Sequence, residues 1–113
     1  MTRKQNRFGD KLHRARLEGG VSLRKLGLSA GMSPSNLSRI ERNLVSAPGV
    51  GKIEEIAAGL GINSDELIVA AKKIPLDIIK IINRHPIECF NLLRRLKVEP
   101  ELLTKVNESE TTR

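Results

Sequence analysis

The chain has no tryptophan and no tyrosine, and its only aromatic carbocycles are Phe8 and Phe90. Its interior must therefore be aliphatic, built from Leu, Ile, Val and Ala. The same shortage leaves almost nothing from which to build the stacking platforms that hold single-stranded nucleic acid. Cys89 stands alone. One cysteine can form neither an intrachain disulfide nor a cysteine-based zinc site, which fits a reducing cytoplasm. The longest uninterrupted apolar run is Leu67 to Ala71, far short of the ~20 residues that span a bilayer. Met1 to Asp10 is polar and basic with no apolar run behind it, so no signal peptide is expected. The expectation is a cytoplasmic protein with no membrane partner.

Catalytic signals are missing as well. There is no Gly-rich phosphate loop, no nucleophile motif and no carboxylate pair beyond ordinary helix acids. His13 and His85 belong to no metal-ligand spacing. No catalytic residue, metal or cofactor is expected, and the chain does not read as an enzyme.

What is present is charge, unevenly placed. With 113 residues the chain fits one domain, or a small domain with an appendage. Its 39% hydrophobic content is too high for wholesale disorder. The net charge is +7. Met1 to Pro48 carries ten Lys or Arg against three Asp or Glu, whereas Gly49 to Arg113 carries ten of each. The whole excess lies in the first 48 residues. Such a local basic field points to a polyanionic partner, most often nucleic acid or an anionic membrane surface, or else serves only solubility.

Helical spacing runs the length of the chain and no strand pattern appears. Phe8, Leu12 and Ala15 or Arg16 share one face of a first helix that ends at Gly19-Gly20. Ser22 reads as the N-cap of a second helix with Leu23, Leu26 and Ala30 inward, broken by Gly31. Ser33 caps a third helix with Pro34 at its first position, where the missing N–H costs nothing. Leu37 and Ile40 anchor that helix, and Asn43 can take the left-handed conformation that ends it. Leu44 to Gly49 reads as a connector. A fourth helix places Ile53, Ile56, Ala57 and Leu60 inward and stops at Gly61. A fifth starts at Asn63, with Lys72 and Lys73 in its last turn. Beyond Pro75 come two amphipathic segments, Leu76 to Arg84 and Pro86 to Lys97. A short helix over Pro100 to Val106 follows, with a frayed end from Asn107. The fold class is all-α, with a domain over residues 1–74 and a helical extension over 75–113.

The most informative stretch is Ser22 to Arg42, S-L-R-K-L-G-L-S-A-G-M-S-P-S-N-L-S-R-I-E-R. Two short helices are joined by a tight turn at Gly31-Met32. Gly27 permits their close approach, and small polar residues open the second helix. With Leu60-Gly61-Ile62 ahead of Asp65-Glu66-Leu67, this pattern resembles the lambda-repressor-like helix-turn-helix proteins, the XRE family of transcription regulators. The resemblance covers about Phe8 to Ala71 and implies a five-helix DNA-binding domain whose third helix enters the major groove.

Carried over position by position, the resemblance implies base contacts from Pro34, Ser35 and Arg39, with Asn36 and Ser38 at the margin. Arg39 can bond both O6 and N7 of guanine, worth ~1–3 kcal/mol against a wrong base. Pro34 replaces a hydrogen-bonding residue and offers only an apolar contact, such as one to a thymine methyl. Phosphate contacts are implied at Ser22 and Leu23, through backbone N–H groups, and at Arg24, Arg42, Ser46 and Lys52. Arg3, Lys4 and Arg7 form a basic arm or a solvated tail. Arg16 and Glu41 match the family's ion pair, which fixes the angle of the third helix. Gly27 stands where the family usually has alanine. Leu28, at a commonly polar position, reads as additional core in preference to an exposed docking spot.

The segment after Pro75 carries more Ile and Leu than one covering helix needs. A two-fold symmetric operator demands a dimer, so Ile78, Ile79, Ile82, Phe90, Leu93 and Leu96 are the expected dimerisation residues. Packing of this segment on its own domain is the alternative. Cys89 reads as a small buried hydrophobe. Three functions remain open: a dimeric autorepressor of double-stranded DNA, the DNA-binding antitoxin of a toxin–antitoxin pair, or a protein-bridging module of the same fold. A toxin or antirepressor protein is a possible partner under these readings.

Overall fold

The structure, a computed structural model, describes the backbone of residues 7–111 and the side chains of residues 7–106. Arg3 and Lys4 of the expected basic arm lie outside the described residues. All the regular structure described is helical: α1 (Phe8–Glu18), α2 (Leu23–Ala30), α3 (Pro34–Glu41), α4 (Val50–Leu60), α5 (Asp65–Ala70), α6 (Leu76–Arg84), α7 (Pro86–Arg95) and α8 (Leu102–Thr111). The chain forms two compact units that divide between Leu76 and Asp77.

The first unit has an aliphatic core, as the shortage of rings requires. Leu12, Leu26, Leu37, Ile53, Ile56 and Ile68 have their side chains wholly out of water. Each contributes about 1.5–3 kcal/mol relative to an exposed side chain. They come from all five helices, so none of α1 to α5 can leave without opening the core. α2 packs on α3 and α4, α1 on α3 and α5, and α4 on α5. Phe8, Ala30, Ile40, Ala57 and Leu67 complete the cluster. Leu23 and Leu60 pack against its edge.

Caps set the helix ends where expected, with two exceptions. The Ser22 hydroxyl accepts from Lys25 N–H and the Ser33 hydroxyl from Asn36 N–H, each satisfying a first-turn donor. α5 begins at Asp65 rather than Asn63, because the Asn63 Oδ1 accepts from Asp65 N–H at 2.7 Å in the turn before it. Lys72 and Lys73 lie past the end of α5. Lys72 adopts φ 60°, and the pair donates back to Val69 and Ile68 carbonyls to close the helix.

α3 closes in the same manner with a further consequence. Asn43 adopts φ 59°, its N–H donates to Ile40 O, and Leu44 N–H donates to Arg39 O. The Asn43 side chain then reaches the start of α1. Its Oδ1 accepts from Gly9 N–H at 3.2 Å, and its Nδ2 donates to Asp10 Oδ1 at 3.2 Å. Arg7, the residue before α1, provides no side-chain cap. Asn43 therefore caps α1 from another helix while ending its own. Gly9 makes the approach possible, since a methyl group there would collide with the Ile40 and Glu41 carbonyl oxygens.

The second unit is built differently. α6 and α7 join across His85, with Pro86 at the first position of α7. Neither helix buries a single residue. Ile79, Ile82, Cys89 and Leu96 are half-buried, whereas Ile78, Phe90 and Leu93 are exposed. Cys89 is thus less buried than expected; its Sγ lies 3.9 Å from Ile81 O. α8 continues to Thr111, past the expected end at Val106. Among its described side chains the second unit has none that is buried, so it lacks the closed core of the first.

Asn43→Gly keeps the left-handed backbone but removes both side-chain bonds to α1. It should cost about 1–2 kcal/mol in urea unfolding of the full chain. Gly9→Ala should cost more, because backbone must move. An unchanged midpoint in both variants would contradict the capping role.

Candidate nucleic-acid interface

The turn between α2 and α3 sets the geometry of the face. Gly31 adopts φ 64° and ψ 40°, a conformation nearly free for glycine alone. Met32 N–H donates to Gly27 O, folding the chain back over the end of α2. A methyl group at Gly27 would collide with the Met32 carbonyl oxygen. In this chain the turn thus crosses α2 too closely to admit an alanine at position 27 without a shift of backbone. Lys52 of α4 holds the same corner. Its Nζ donates to Ala30 O at 2.7 Å and pairs with Glu55 at 2.7 Å. Lys52, expected as a phosphate contact, thus also closes the end of α2, and its side chain remains partly exposed.

α3 buries Leu37, Ile40 and Glu41. That leaves Pro34, Ser35, Asn36 and Arg39 exposed and Ser38 half-buried, so the five expected base-facing residues lie along one helix. Ser22, Arg24, Arg42 and Ser46 are exposed, and Leu23 is half-buried with its side chain against the core. Of the first-turn N–H groups of α2, that of Lys25 is taken by the Ser22 hydroxyl, whereas those of Leu23 and Arg24 have no partner within the helix and can meet an anion. The Arg42 Nε donates to Ser38 O at 3.4 Å, which lays the side chain along α3.

Glu41 sets the angle of α3. It is 5% exposed. Arg16 grips it with both arms: Nε to Oε2 at 2.6 Å and Nη2 to Oε1 at 2.9 Å. The Arg16 Nη1 also donates to Val21 O at 3.0 Å, which ties the α1–α2 turn to the same group. The sequence reading missed a third partner, His13, whose Nδ1 lies 2.7 Å from Glu41 Oε1. The available signal was the three-residue spacing of His13 and Arg16, which places them side by side on α1. Burial pushes the Glu41 carboxyl up, but hydrogen bonds from Arg16 and His13 and their charges outweigh it and hold it below the usual carboxylate range. The Arg16 guanidinium is correspondingly raised by its bond to Glu41, against its own burial.

Two consequences follow for the face. The only acid on α2 and α3 is buried and neutralised, so their exposed charges, Arg24, Lys25 and Arg39, are all positive, as is Arg42 just beyond. Leu28, expected in the core, is 81% exposed on α2. The core beneath α2 is already filled by Leu26 and Ala30, and Leu28 points away from it.

Glu41→Gln should cost about 3–5 kcal/mol, because Arg16 would keep its buried charge without a counterion. The pH dependence has a definite sign. A carboxyl depressed in the folded state contributes stability that is present above its unfolded pKa and lost as pH falls through the folded value. Acid should therefore erode the native chain below about pH 4, and Glu41→Gln should flatten that slope. Parallel slopes in urea unfolding from pH 7 downward would contradict this.

A helix-turn-helix family model matches residues 12–67. The HTH-type transcriptional regulator SinR of Bacillus subtilis (strain 168) is 37% identical over 61 residues, covering 54% of this chain and 55% of the relative. SinR of Bacillus licheniformis matches to the same extent. The chain thus spans about half the length of the curated relatives it matches. A crystal structure of SinR, the master regulator for biofilm formation, in complex with DNA is 36% identical, with a TM-score of 0.50; it covers 54% of this chain and 97% of that one. A SinR protein/SinI protein complex is 25% identical with a TM-score of 0.51, covering 83% of this chain and 98% of that one. The chain belongs to the lambda-repressor-like (XRE) helix-turn-helix family of transcriptional regulators.

Proposed function

We propose that this chain is a sequence-specific double-stranded DNA-binding transcriptional regulator that acts as a dimeric repressor, on its own promoter among others. The observation that carries the reading is the exposed face of α2 and α3, whose charges are all positive and whose angle is set by the Arg16–Glu41 pair. Arg39 reads a guanine, and Pro34, Ser35, Asn36 and Ser38 line the rest of the base-facing edge. Ser22, Leu23, Arg24, Arg42 and Ser46 engage phosphates, while Lys52 acts through the turn it holds. The solved complex of the relative SinR with DNA supports this reading.

The second unit supplies the dimer. Its exposed Ile78, Phe90 and Leu93 need a cover that the unit itself does not provide. A two-fold operator with half-sites ~34–36 Å apart requires two copies. The complex of SinR with SinI, matched over 83% of this chain, supports a partner protein as a further ligand of this chain.

Fluorescence anisotropy on the duplex upstream of the chain's own gene, against a scrambled duplex over a salt series, tests DNA reading. The upstream duplex should bind more tightly and keep its advantage as salt rises, while the scrambled one weakens along the counterion-release slope. Arg39→Ala should lose about tenfold or more in affinity for the upstream duplex with little change on the scrambled one. Equal, salt-fragile binding to both duplexes would contradict operator reading. Phe90→Asp should shift sedimentation from dimer to monomer and weaken a two-half-site duplex by about a hundredfold. A native chain that sediments as a monomer at micromolar concentration would sink the dimer.

A further inference from the structure

Leu28 is the anomaly of the cationic face. An 81% exposed leucine shares the outer side of α2 with Arg24 and Lys25, away from the buried Leu26 and Ala30. It is not isolated. Arg24, Gly27, Leu28, Gly31, Met32 and Pro34 line one open cleft between α2 and the start of α3. Two glycines leave a floor without side chains, and neither can be enlarged without cost. A methyl at Gly27 would strike the Met32 carbonyl, and Gly31 holds φ 64°. Leu28, Met32 and Pro34 form apolar walls, and Arg24 stands at the rim as the only charged lining residue.

We propose that this cleft receives the 5-methyl group of a thymine, making Leu28 and Pro34 residues that specify a T·A pair beside the guanine read by Arg39. The inference rests on the reading of α3 as the base-facing helix. Three features of the cleft select this occupant. Apart from Arg24, its lining offers only apolar side chains and glycine backbone, which suits the one apolar group a base pair presents in the major groove. All exposed charges around it on α2 and α3 are positive, which matches a duplex and repels a second copy of the same face. Pro34 occupies the first position of α3, the end that a helix of this type directs at base edges.

The test isolates the methyl group. Duplexes selected by the full chain from a random double-stranded pool should carry a recurrent thymine. Deoxyuridine replaces thymidine in the recovered duplex one position at a time, which removes a methyl and nothing else. Anisotropy should show a loss of about three- to tenfold at one or two adjacent positions in each half-site. Leu28→Ala and Pro34→Ala should bind the thymine and uracil duplexes alike, at the affinity of the native chain for uracil. Because Leu28 is exposed, its variant should unfold at the native urea midpoint. No loss at any uracil position, or a loss that persists in both variants, would overturn the proposal. So would equal thymine and uracil binding with impaired self-association of Leu28→Ala, which would assign the cleft to a second copy. Failure to select any sequence would instead remove the DNA reading itself, and this proposal with it.

Discussion

A carboxylate almost wholly out of water organises the first unit. Taking Glu41 into the interior carries a desolvation cost that only close, well-aligned donors can offset. Arg16 supplies two of them and His13 a third. Because Arg16 also holds the Val21 carbonyl, one guanidinium links α1, the turn that follows it and the far end of α3. An apolar contact at Glu41 would tolerate a range of helix angles. A bidentate ion pair tolerates few, which makes it a device for orientation more than for net stability.

The same end of α3 is fixed a second time, by different chemistry. Asn43 ends the helix in a left-handed turn and spends its amide group on the start of α1. α3 is thus clamped through Glu41 and Asn43 at its C-terminal end, while Ser33 and Pro34 leave its N-terminal end open to the outside. This polarity suits a helix that presents its first turns to a partner. Burying the one acid of α2 and α3 also clears their outer surface of negative charge. The structural and electrostatic requirements of the face are met by a single residue.

Much of this was legible in the sequence, because the helices obey local rules. Ser22, Ser33, Pro34, Gly31, Asn43 and Gly61 mark the ends of α2, α3 and α4 through preferences that act within a few residues. The i, i+3, i+4 spacing of Leu26, Leu37, Ile53 and Ile56 identified the core faces. What remained hidden depends on contacts across long stretches of chain. His13 meets Glu41 across 28 residues, Asn43 reaches Gly9 across 34, and Lys52 reaches Ala30 across 22. Each is a polar side chain that could equally have faced water, so composition and periodicity say nothing of its partner. Leu28 went wrong for the opposite reason. Its side chain is apolar, but the space beneath α2 was already taken by Leu26 and Ala30, and only packing reveals that.

The two units differ in how completely they satisfy themselves. The first has a closed core drawn from all five of its helices, whereas α6 and α7 bury nothing and expose Ile78, Ile81, Phe90 and Leu93. The proposed division of labour, the first unit reading DNA and the second joining copies, is in keeping with that difference. The most direct test of the DNA-reading claim is a map of the bound face. Backbone amide NMR spectra of the full chain would be recorded while a duplex carrying its selected sequence is titrated in. The account expects the large shifts to fall on Ser22 to Lys25 and Ser33 to Arg42, with α5 nearly silent. Shifts concentrated on α5 or on residues beyond Asp77, with α3 unmoved, would contradict it.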